Sequence, residues 1–258
     1  MFPDLFAIPF LTGLCLAVLL PLLGCYLRLR DEWLAALAYA HVAAGGALLA
    51  MLAGLPPPVG GVAAAAAAAL AKEPLAARLP ASALFPLLLL FGWAVGMLVA
   101  ANHPLAERVG SALFDGQLYF ADAGRLATVA AGTLACLLVL RRLSRPLLLS
   151  QLYPDHFRLR GEAPWPVHSG FDLLAALVLA LATTTLGVMA TFALVFVPPC
   201  LAFRRAGDWR RGLRLALLVS VGGYIAAFAM ALWFDQPFGP VLAILLILLA
   251  GIAACSRS

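Results

Sequence analysis

The chain has 258 residues, of which 64% are hydrophobic and only 11% are charged, and its mean hydropathy is +1.02. Water-soluble domains are nearer half apolar and a quarter charged, so this composition excludes a soluble enzyme, a disordered chain, a DNA-binding domain and a disulfide-stapled secreted module. The net charge of +5 reports membrane orientation rather than nucleic-acid binding. We therefore predict an all-α, polytopic transmembrane bundle of about eight or nine helices, surrounded by membrane lipid in the cell (inner) membrane.

Long uncharged stretches give the predicted spans in chain order. The first four are residues 6–27, 33–55, 59–71 and 85–101, and we expect the charged residues after position 71 to break the short third span. A polar loop then leads to a fifth span at 126–140, which a polar segment over 141–169 follows. The apolar stretch 171–203 is too long for one span and short for two, so we predict a helical hairpin, re-entrant or crossing, that enters and leaves on the same side and has Gly187 at its middle. The last spans are 215–234 and 241–254.

The basic residues predict the direction of the spans. If the loop at 28–32 is cytoplasmic, alternation places 15 of the 17 basic residues inside and only Arg108 and Arg125 outside. Lys and Arg accumulate in cytoplasmic loops, so we expect the N-terminus outside and the C-terminus in the cytoplasm. We interpret the arginine-rich loop at 204–214 as part of this orientation signal.

Ionisable side chains are costly inside a membrane, and those that occur there are candidates for function. We expect one within an apolar span, His41, two residues after Tyr39 in LAALAYAHVAAGG, and no pair of carboxylates within the membrane. Tyr39 and His41 are candidates for the substrate pathway, and the imidazole of His41 is a candidate metal ligand. The alternative is a histidine that is simply hydrogen-bonded within the bundle.

The sequence contains no HExxH, GxSxG or GxxxxGK[ST] pattern, so it offers neither a metalloprotease or hydrolase site nor a nucleotide-binding loop. We therefore expect no enzymatic activity and no cofactor bound by this chain itself.

The cytoplasmic segment 145–162 differs from the loops around it. Pro154 and Asp155 are typical of a helix start, and Phe157 gives the short helix an apolar side. Such a helix is either a connector across the cytoplasmic face or a docking element for a cytoplasmic partner.

Four stretches in order along the chain resemble one family of transporters. They are ALFDGQLYFADAGRL at 112–126, YPDHFRLRG at 153–161, GVMATFALVFVPPCLA at 187–202 and FDQPFGPVL at 234–242. Together they resemble the permease subunits of zinc/manganese-type metal-ion ABC importers. The resemblance implies a single permease domain over residues 1–258, paired as a homodimer around a central pathway. It also implies a separate cytoplasmic ATPase that binds ATP and an extracytoplasmic solute-binding protein.

Within this resemblance, segment 145–162 corresponds to the family's coupling segment. The residues that it implies as contacts to the ATPase are Tyr153, Pro154, Asp155, Phe157 and Gly161.

The sequence departs from the family at the metal ligands. Members of the resembled family carry a D-x-x-x-H pattern on the second span. When this pattern is aligned with ALAYA at 36–40, Tyr39 takes the place of the histidine and Ala35 that of the aspartate. A shift of two recovers His41, with Leu37 in place of the acid. The leading hypothesis is therefore a zinc or manganese importer with an altered pathway. The alternatives are import of a metal chelate or other small solute, and a membrane assembly subunit that transports nothing.

Overall fold

The computed structural model describes residues 4–153, 157 and 165–255, and in these ranges the chain is helical apart from turns. The helices are α1 (Asp4–Leu29), α2 (Trp33–Leu52), α3 (Pro57–Ala76), α4 (Ala81–Asn102), α5 (Pro104–Asp115), a 3-10 turn (Leu118–Phe120), α6 (Ala123–Leu152), α7 (Trp165–Leu186), α8 (Val188–Arg205), α9 (Trp209–Trp233) and α10 (Phe238–Cys255).

Eight of the described helices, α1–α4 and α6–α9, are long and apolar enough to cross a membrane. An 18-residue helix measures about 27 Å, close to the ~30 Å of a bilayer's hydrocarbon core, and a helix satisfies its backbone hydrogen bonds internally, as lipid requires. The prediction of an all-α, polytopic membrane protein is confirmed. The sides on which the termini lie stay a prediction.

The third span does not end where its charges begin. Helix α3 continues through Lys72, Glu73 and Pro74 to Ala76, so the predicted break after residue 71 is wrong. Lys72 is buried and ion-paired, and a paired charge does not force the chain out of the helix. At the other end, Pro57 and Pro58 lie in the first turn of α3, where a missing backbone N–H costs nothing.

Two predicted loops are partly helical. Helix α6 continues through Arg141 and Arg142 to Leu152, and α7 begins at Trp165, so the polar segment 141–169 is a loop only in part. The polar loop 102–125 contains α5, which starts with Pro104 and carries Glu107 in its first turn. Both residues favour a helix N-terminus, and this local signal outweighs the polar composition of the segment.

Gly187 divides the long apolar stretch as predicted, because it separates α7 from α8 with φ +84. That left-handed conformation is open to glycine at little cost. The flanking residues lengthen both helices beyond the apolar stretch itself, so that each is long enough to cross a membrane. The return to the same side stays a prediction.

The chain divides into two compact units. One consists of Tyr26–Gly110 and Leu134–Leu181, and in it α2 packs against α3 and α4. The other consists of the residues through Cys25, Ser111–Thr133 and those from Ala182 onward, and in it α8, α9 and α10 pack against one another. The single permease domain predicted over 1–258 stays a prediction.

Glycines bring the backbones of α2, α3 and α4 close together in the first unit. A Cβ at Gly45 would lie 2.8 Å from the Gly92 carbonyl oxygen, and a Cβ at Gly46 would lie 2.7 Å from the Gly60 oxygen. Helices in lipid associate through such small residues, because no hydrophobic force drives apolar helices together there.

Aromatic residues and two buried hydroxyl groups hold the second unit together. Tyr224 on α9 donates to the Phe10 carbonyl at 2.9 Å, and its ring lies 5.4 Å from that of Phe238 on α10. Ser220 donates to the Ala17 carbonyl at 2.7 Å. These side-chain to backbone hydrogen bonds fix α1 against α9.

We predict that Gly92→Ala destabilises the α2–α4 contact by about 1–3 kcal/mol, the usual cost of overpacking. The new Cβ would lie 2.5 Å from the His41 carbonyl carbon and the Val42 nitrogen, backbone atoms that cannot move aside without moving α2. The measurement is the melting temperature of the purified chain in detergent. Gly96→Ala on the same helix is the control, because its Cβ would meet only ordinary contacts, the nearest at 3.8 Å. Equal melting temperatures for the two variants would contradict the prediction.

Candidate functional site

A buried network of four charged side chains lies in the first compact unit. Its members are Arg30, Glu32, Lys72 and Asp172, called the charge network below. Arg30 and Glu32 belong to the turn between α1 and α2, Lys72 lies near the end of α3, and Asp172 lies near the start of α7. In the predicted topology these four helix ends are all cytoplasmic.

The local sequence places Arg30 and Glu32 on either side of a tight helix end. Asp31 adopts a left-handed conformation with φ +55, which aspartate tolerates better than most residues. The Asp31 N–H donates to the Arg28 carbonyl at 3.1 Å, and the Glu32 N–H donates to the Leu27 carbonyl at 2.9 Å. These two bonds form a Schellman motif, which ends α1 and brings Glu32 next to Arg30.

Lys72 bridges the two carboxylates of the charge network. Its Nζ lies 2.8 Å from Glu32 Oε1 and 2.8 Å from Asp172 Oδ2. Arg30 closes the ring of contacts, with Nη2 3.1 Å from Glu32 Oε1 and Nη1 3.2 Å from Asp172 Oδ1. Each cation therefore contacts both anions, and each anion contacts both cations.

The four charged side chains of the network are almost completely buried, so their charges must balance. The exposed side-chain fractions are 5% for Arg30, 12% for Glu32, 7% for Lys72 and 1% for Asp172. Removing a charge from water costs several kcal/mol even after relaxation, and it is tolerated only with close partners of opposite sign. Two cations and two anions give the network no net charge, which is the condition under which it can be buried.

Aromatic rings complete the surroundings of the two cations. The Arg30 guanidinium carbon lies 5.1 Å from the centre of the Phe171 ring, and Lys72 Nζ lies 5.4 Å from that of Phe85. Both distances are in the range of cation–π attraction. Phe171 and Phe85 thus shield the network from lipid or water, and their rings also attract its two cations.

Tyr39, a predicted pathway residue, lies beside the charge network. Its side chain is fully buried, and its ring centre is 6.3 Å from that of Phe85, the same ring that Lys72 contacts. The Asp172 and Glu32 carboxylates are within electrostatic range of its hydroxyl group. The Tyr39 hydroxyl has no hydrogen-bond partner within the described ranges, and a buried, unsatisfied hydroxyl is a group that is expected to have a use.

His41 lies on a different face of α2, because residues two apart on a helix do not face the same way. Its Nδ1–H donates to the Leu37 carbonyl at 2.9 Å, and its ring centre is 5.8 Å from that of Trp93 on α4. The structure thus brings Tyr39 and the charge network together and sets His41 apart from Tyr39.

His41 is also the predicted metal ligand, and its surroundings test that prediction. The described part of the chain contains no group of three or more His, Cys, Asp or Glu side chains that could hold a metal ion. The hydrogen bond to Leu37 fixes the ring with Nδ1 protonated, so Nε2 is the nitrogen that could reach a metal. One chain therefore supplies at most a single imidazole at this position.

Of the predicted coupling residues, the described part of the chain includes two. Tyr153, just after α6, is 64% exposed, whereas Phe157 is only 7% exposed. Pro154, Asp155 and Gly161 lie outside the described residues. Tyr153 is therefore open to a partner, whereas the Phe157 side chain is buried against its own chain.

The segment 112–126 packs against the end of α7 in the second unit. Arg125 Nη1 donates to the Thr184 carbonyl at 2.6 Å, and the Gln117 N–H donates to the Thr185 carbonyl at 3.2 Å. These contacts satisfy carbonyls that a helix end leaves without an intrahelical partner. Burial, helped by the nearby Asp235 carboxylate, raises the pKa of Tyr119 to about 12, so its hydroxyl stays protonated at physiological pH.

Sequence reasoning missed the charge network. The expectation that His41 is the only ionisable group inside an apolar span is wrong, because Lys72 and Asp172 are both buried within helices of membrane-spanning length. The expectation that the membrane holds no pair of carboxylates stays a prediction, because Glu32 lies in the turn between α1 and α2. One signal was present in the sequence: Lys72 is the only lysine of the chain, and Asp172 stands inside the apolar stretch 171–203. Two isolated opposite charges in apolar surroundings are a candidate pair.

We predict that Lys72→Met lowers stability by about 3 kcal/mol, because it leaves two buried carboxylates with a single cation. For a chain of this size the melting temperature should fall by roughly 6–12 °C. The double variant Lys72→Met/Asp172→Asn leaves the neutral pair Arg30–Glu32 and should recover at least half of that loss. Melting of the purified chain in detergent measures both effects.

Arg78→Met is the matched control for this prediction, since Arg78 is an exposed cation just after α3. Its melting temperature should stay within about 1 °C of the parent, as surface substitutions usually do. A double variant that is less stable than Lys72→Met would show that charge balance is not what Lys72 supplies.

Comparison with known proteins shows what kind of chain carries these features. The model of the ABC 3 transport family matches residues 4–256. A probable iron transport system membrane protein of Haemophilus influenzae is 25% identical over 246 residues, covering 91% of this chain and 87% of that protein. The chelated iron transport system membrane protein YfeD of Yersinia pestis is 25% identical over 249 residues, covering 93% of this chain and 83% of that protein.

Two solved structures share the fold. PsaBC from Streptococcus pneumoniae in complex with Fab has a TM-score of 0.85 at 15% identity, covering 98% of this chain and 91% of that one. A structure named as an inward-facing, metal-chelate type ABC transporter has a TM-score of 0.78 at 18% identity, covering 96% and 85%. Because the family model extends over all eight helices of membrane-spanning length, the chain belongs to the ABC 3 transport family.

Proposed function

We propose that this chain is the membrane permease of an ATP-driven importer whose cargo is a transition metal. The observation that carries the proposal is the match of the ABC 3 transport family over residues 4–256, which includes every helix that could cross a membrane in the described chain. Membership of a transport family gives no support to the alternative of an assembly subunit that transports nothing.

The proposal assigns ATP hydrolysis to a separate cytoplasmic ATPase, because the sequence carries no phosphate-binding loop. The chain itself would be no enzyme. Its other partners would be an extracytoplasmic solute-binding protein, membrane lipid and a second copy of this chain, with a central pathway between the copies. Nothing in this arrangement calls for nucleic acid.

In this proposal the charge network makes part of the permease move as one body. It ties the α1–α2 turn to the end of α3 and the start of α7, and breaking it would leave buried charges without partners. A push from the ATPase at Tyr153 would reach α7 through the end of α6, where Ser150 Oγ lies 3.2 Å from His168 Nε2 on α7. The network would then pass the displacement to α2, which carries both pathway candidates, Tyr39 and His41. Alternating access by movement of one group of helices against another is expected of transporters.

The cargo has two candidate forms. Zinc or manganese, the sequence-based hypothesis, requires ligands, and a homodimer would bring two His41 imidazoles to a shared pathway. A metal chelate already carries its ligands and requires none from the protein. The absence of a metal-ligand cluster from the described residues and of an acid four residues before His41 favours the chelate. So do the names of the two bacterial relatives, which mention iron and chelated iron.

A deletion strain tests the cargo proposal. Cells lacking only this protein should accumulate less of one transition metal, measured by elemental mass spectrometry after growth with limiting zinc, manganese, free iron or chelated iron.

Complementation with the parent sequence and with His41→Ala separates the two forms of cargo. If the cargo is a bare ion, His41→Ala should lower uptake at least tenfold, because a metal site loses most of its affinity when one of its ligands is removed. If the cargo is a chelate, His41→Ala should transport at nearly the parental rate. Unchanged content of every transition metal in the deletion strain would contradict the proposal.

A second prediction concerns coupling to the ATPase. Tyr153→Ala should reduce transport-linked ATP hydrolysis of the reconstituted complex several-fold, because truncating an exposed aromatic contact removes one of the anchors that carry binding energy at interfaces. The stability of the permease alone should change little. Phe234→Ala is the matched control, since Phe234 is equally exposed at 61% and lies on the opposite, external side in the predicted topology. Equal ATPase activity of the two variants would contradict the assignment of Tyr153.

A further inference from the structure

The second compact unit contains an apolar groove between α8, α9 and α10. Its volume is about 320 Å³, at the lower end of the range for pockets that bind small molecules. Its walls come from Leu201 on α8, Leu215 and Leu218 on α9, and Leu249 on α10. Among the described residues that line it, Arg205 alone is charged.

Gly222 keeps one part of the groove open. It is an exposed residue of α9 that lines the groove, and a Cβ built on it would meet no atom within 4 Å. Its neighbour Gly223 is different, because a Cβ there would lie 2.7 Å from Leu246 Cδ2 on α10. Close packing therefore explains why residue 223 is a glycine, but it does not explain Gly222. An occupant of the groove would explain Gly222, because a side chain there would take up its space.

The groove lies at the arginine-rich end of α8 and α9. Arg205 is followed by Arg210, Arg211 and Arg214, and the acid between them, Asp208, accepts a hydrogen bond from the Arg211 N–H at 2.6 Å as the cap of α9. In the predicted topology this end faces the cytoplasmic leaflet, which is rich in anionic lipids. Basic pockets between membrane helices on that side bind anionic head groups.

We propose that the groove binds one anionic glycerophospholipid of the cytoplasmic leaflet. An acyl chain would lie along the leucine-lined walls past Gly222, and the lipid phosphate would accept hydrogen bonds from the Arg205 guanidinium, a charge-assisted pairing that suits the fork of donors on arginine. A second copy of this chain is the less favourable occupant, because symmetric pairing would bring two arginine-rich ends together, and like charges oppose association.

The test uses native mass spectrometry of the full chain purified in detergent. It is titrated with phosphatidylglycerol or with phosphatidylcholine of the same acyl chains. We expect the parent to bind phosphatidylglycerol about fivefold more tightly than phosphatidylcholine, the ratio that one arginine near the membrane surface provides. Gly222→Leu adds an apolar side chain to the groove at a position where a Cβ meets no atom within 4 Å, and it should lower binding of both lipids about fivefold. Arg205→Gln should remove the preference for phosphatidylglycerol while leaving a weaker binding of both.

Two matched variants control the experiment. Gly251→Leu adds the same side chain to α10, outside the groove lining and with no atom within 4 Å of its Cβ, and Arg204→Gln removes the neighbouring exposed arginine. Both should bind like the parent. Parental binding by Gly222→Leu, equal affinity of the parent for the two lipids, or loss of a dimer in Gly222→Leu with lipid binding retained would each overturn the proposal. The last result would identify a second copy of this chain as the occupant.

Discussion

The bridge that Lys72 makes between Glu32 and Asp172 is the contact on which the first compact unit depends. Low-dielectric surroundings make an unpaired charge prohibitively costly, so the four members of the charge network can be buried only together. They come from three separate places in the sequence, the α1–α2 turn, α3 and α7. The need to keep these charges paired therefore holds the helix ends in one arrangement. Apolar contacts alone would not, because contacts with lipid are nearly as favourable as contacts between helices.

This arrangement gives the two pathway candidates different surroundings. Tyr39 has an unsatisfied hydroxyl and packs against Phe85, the ring that Lys72 also contacts, whereas His41 packs against α4 with its ring close to Trp93. The backbone of His41 lies at the close α2–α4 contact made by Gly92. The proposed import function thus gives α2 two polar side chains on different faces, one beside the charge network and one against α4.

Much of the fold could be predicted from the sequence, because a membrane imposes a simple rule on it. An apolar run of sufficient length must form a helix, and Gly187 marks the division of the longest run since it adopts a conformation that few other residues tolerate. The helix ends predicted from the sequence are less accurate. Lys72 and Arg141 are predicted helix ends, yet α3 and α6 continue past them. Lys72 stays within its helix because Glu32 and Asp172 neutralise it, and such partners are a property of the folded chain.

The sequence by itself determined the class of the protein, the approximate number of its helices and the family motifs, since these follow from composition, length and local residue types. Tertiary structure alone decided that Asp172 meets Lys72 across 100 residues of chain, that Tyr39 and His41 face different neighbours, and that Phe157 is buried while Tyr153 is exposed. The physical reason is the same in each case. The cost of a buried charge, or the use of an exposed ring, depends on which distant side chains arrive beside it, and local sequence carries no record of that.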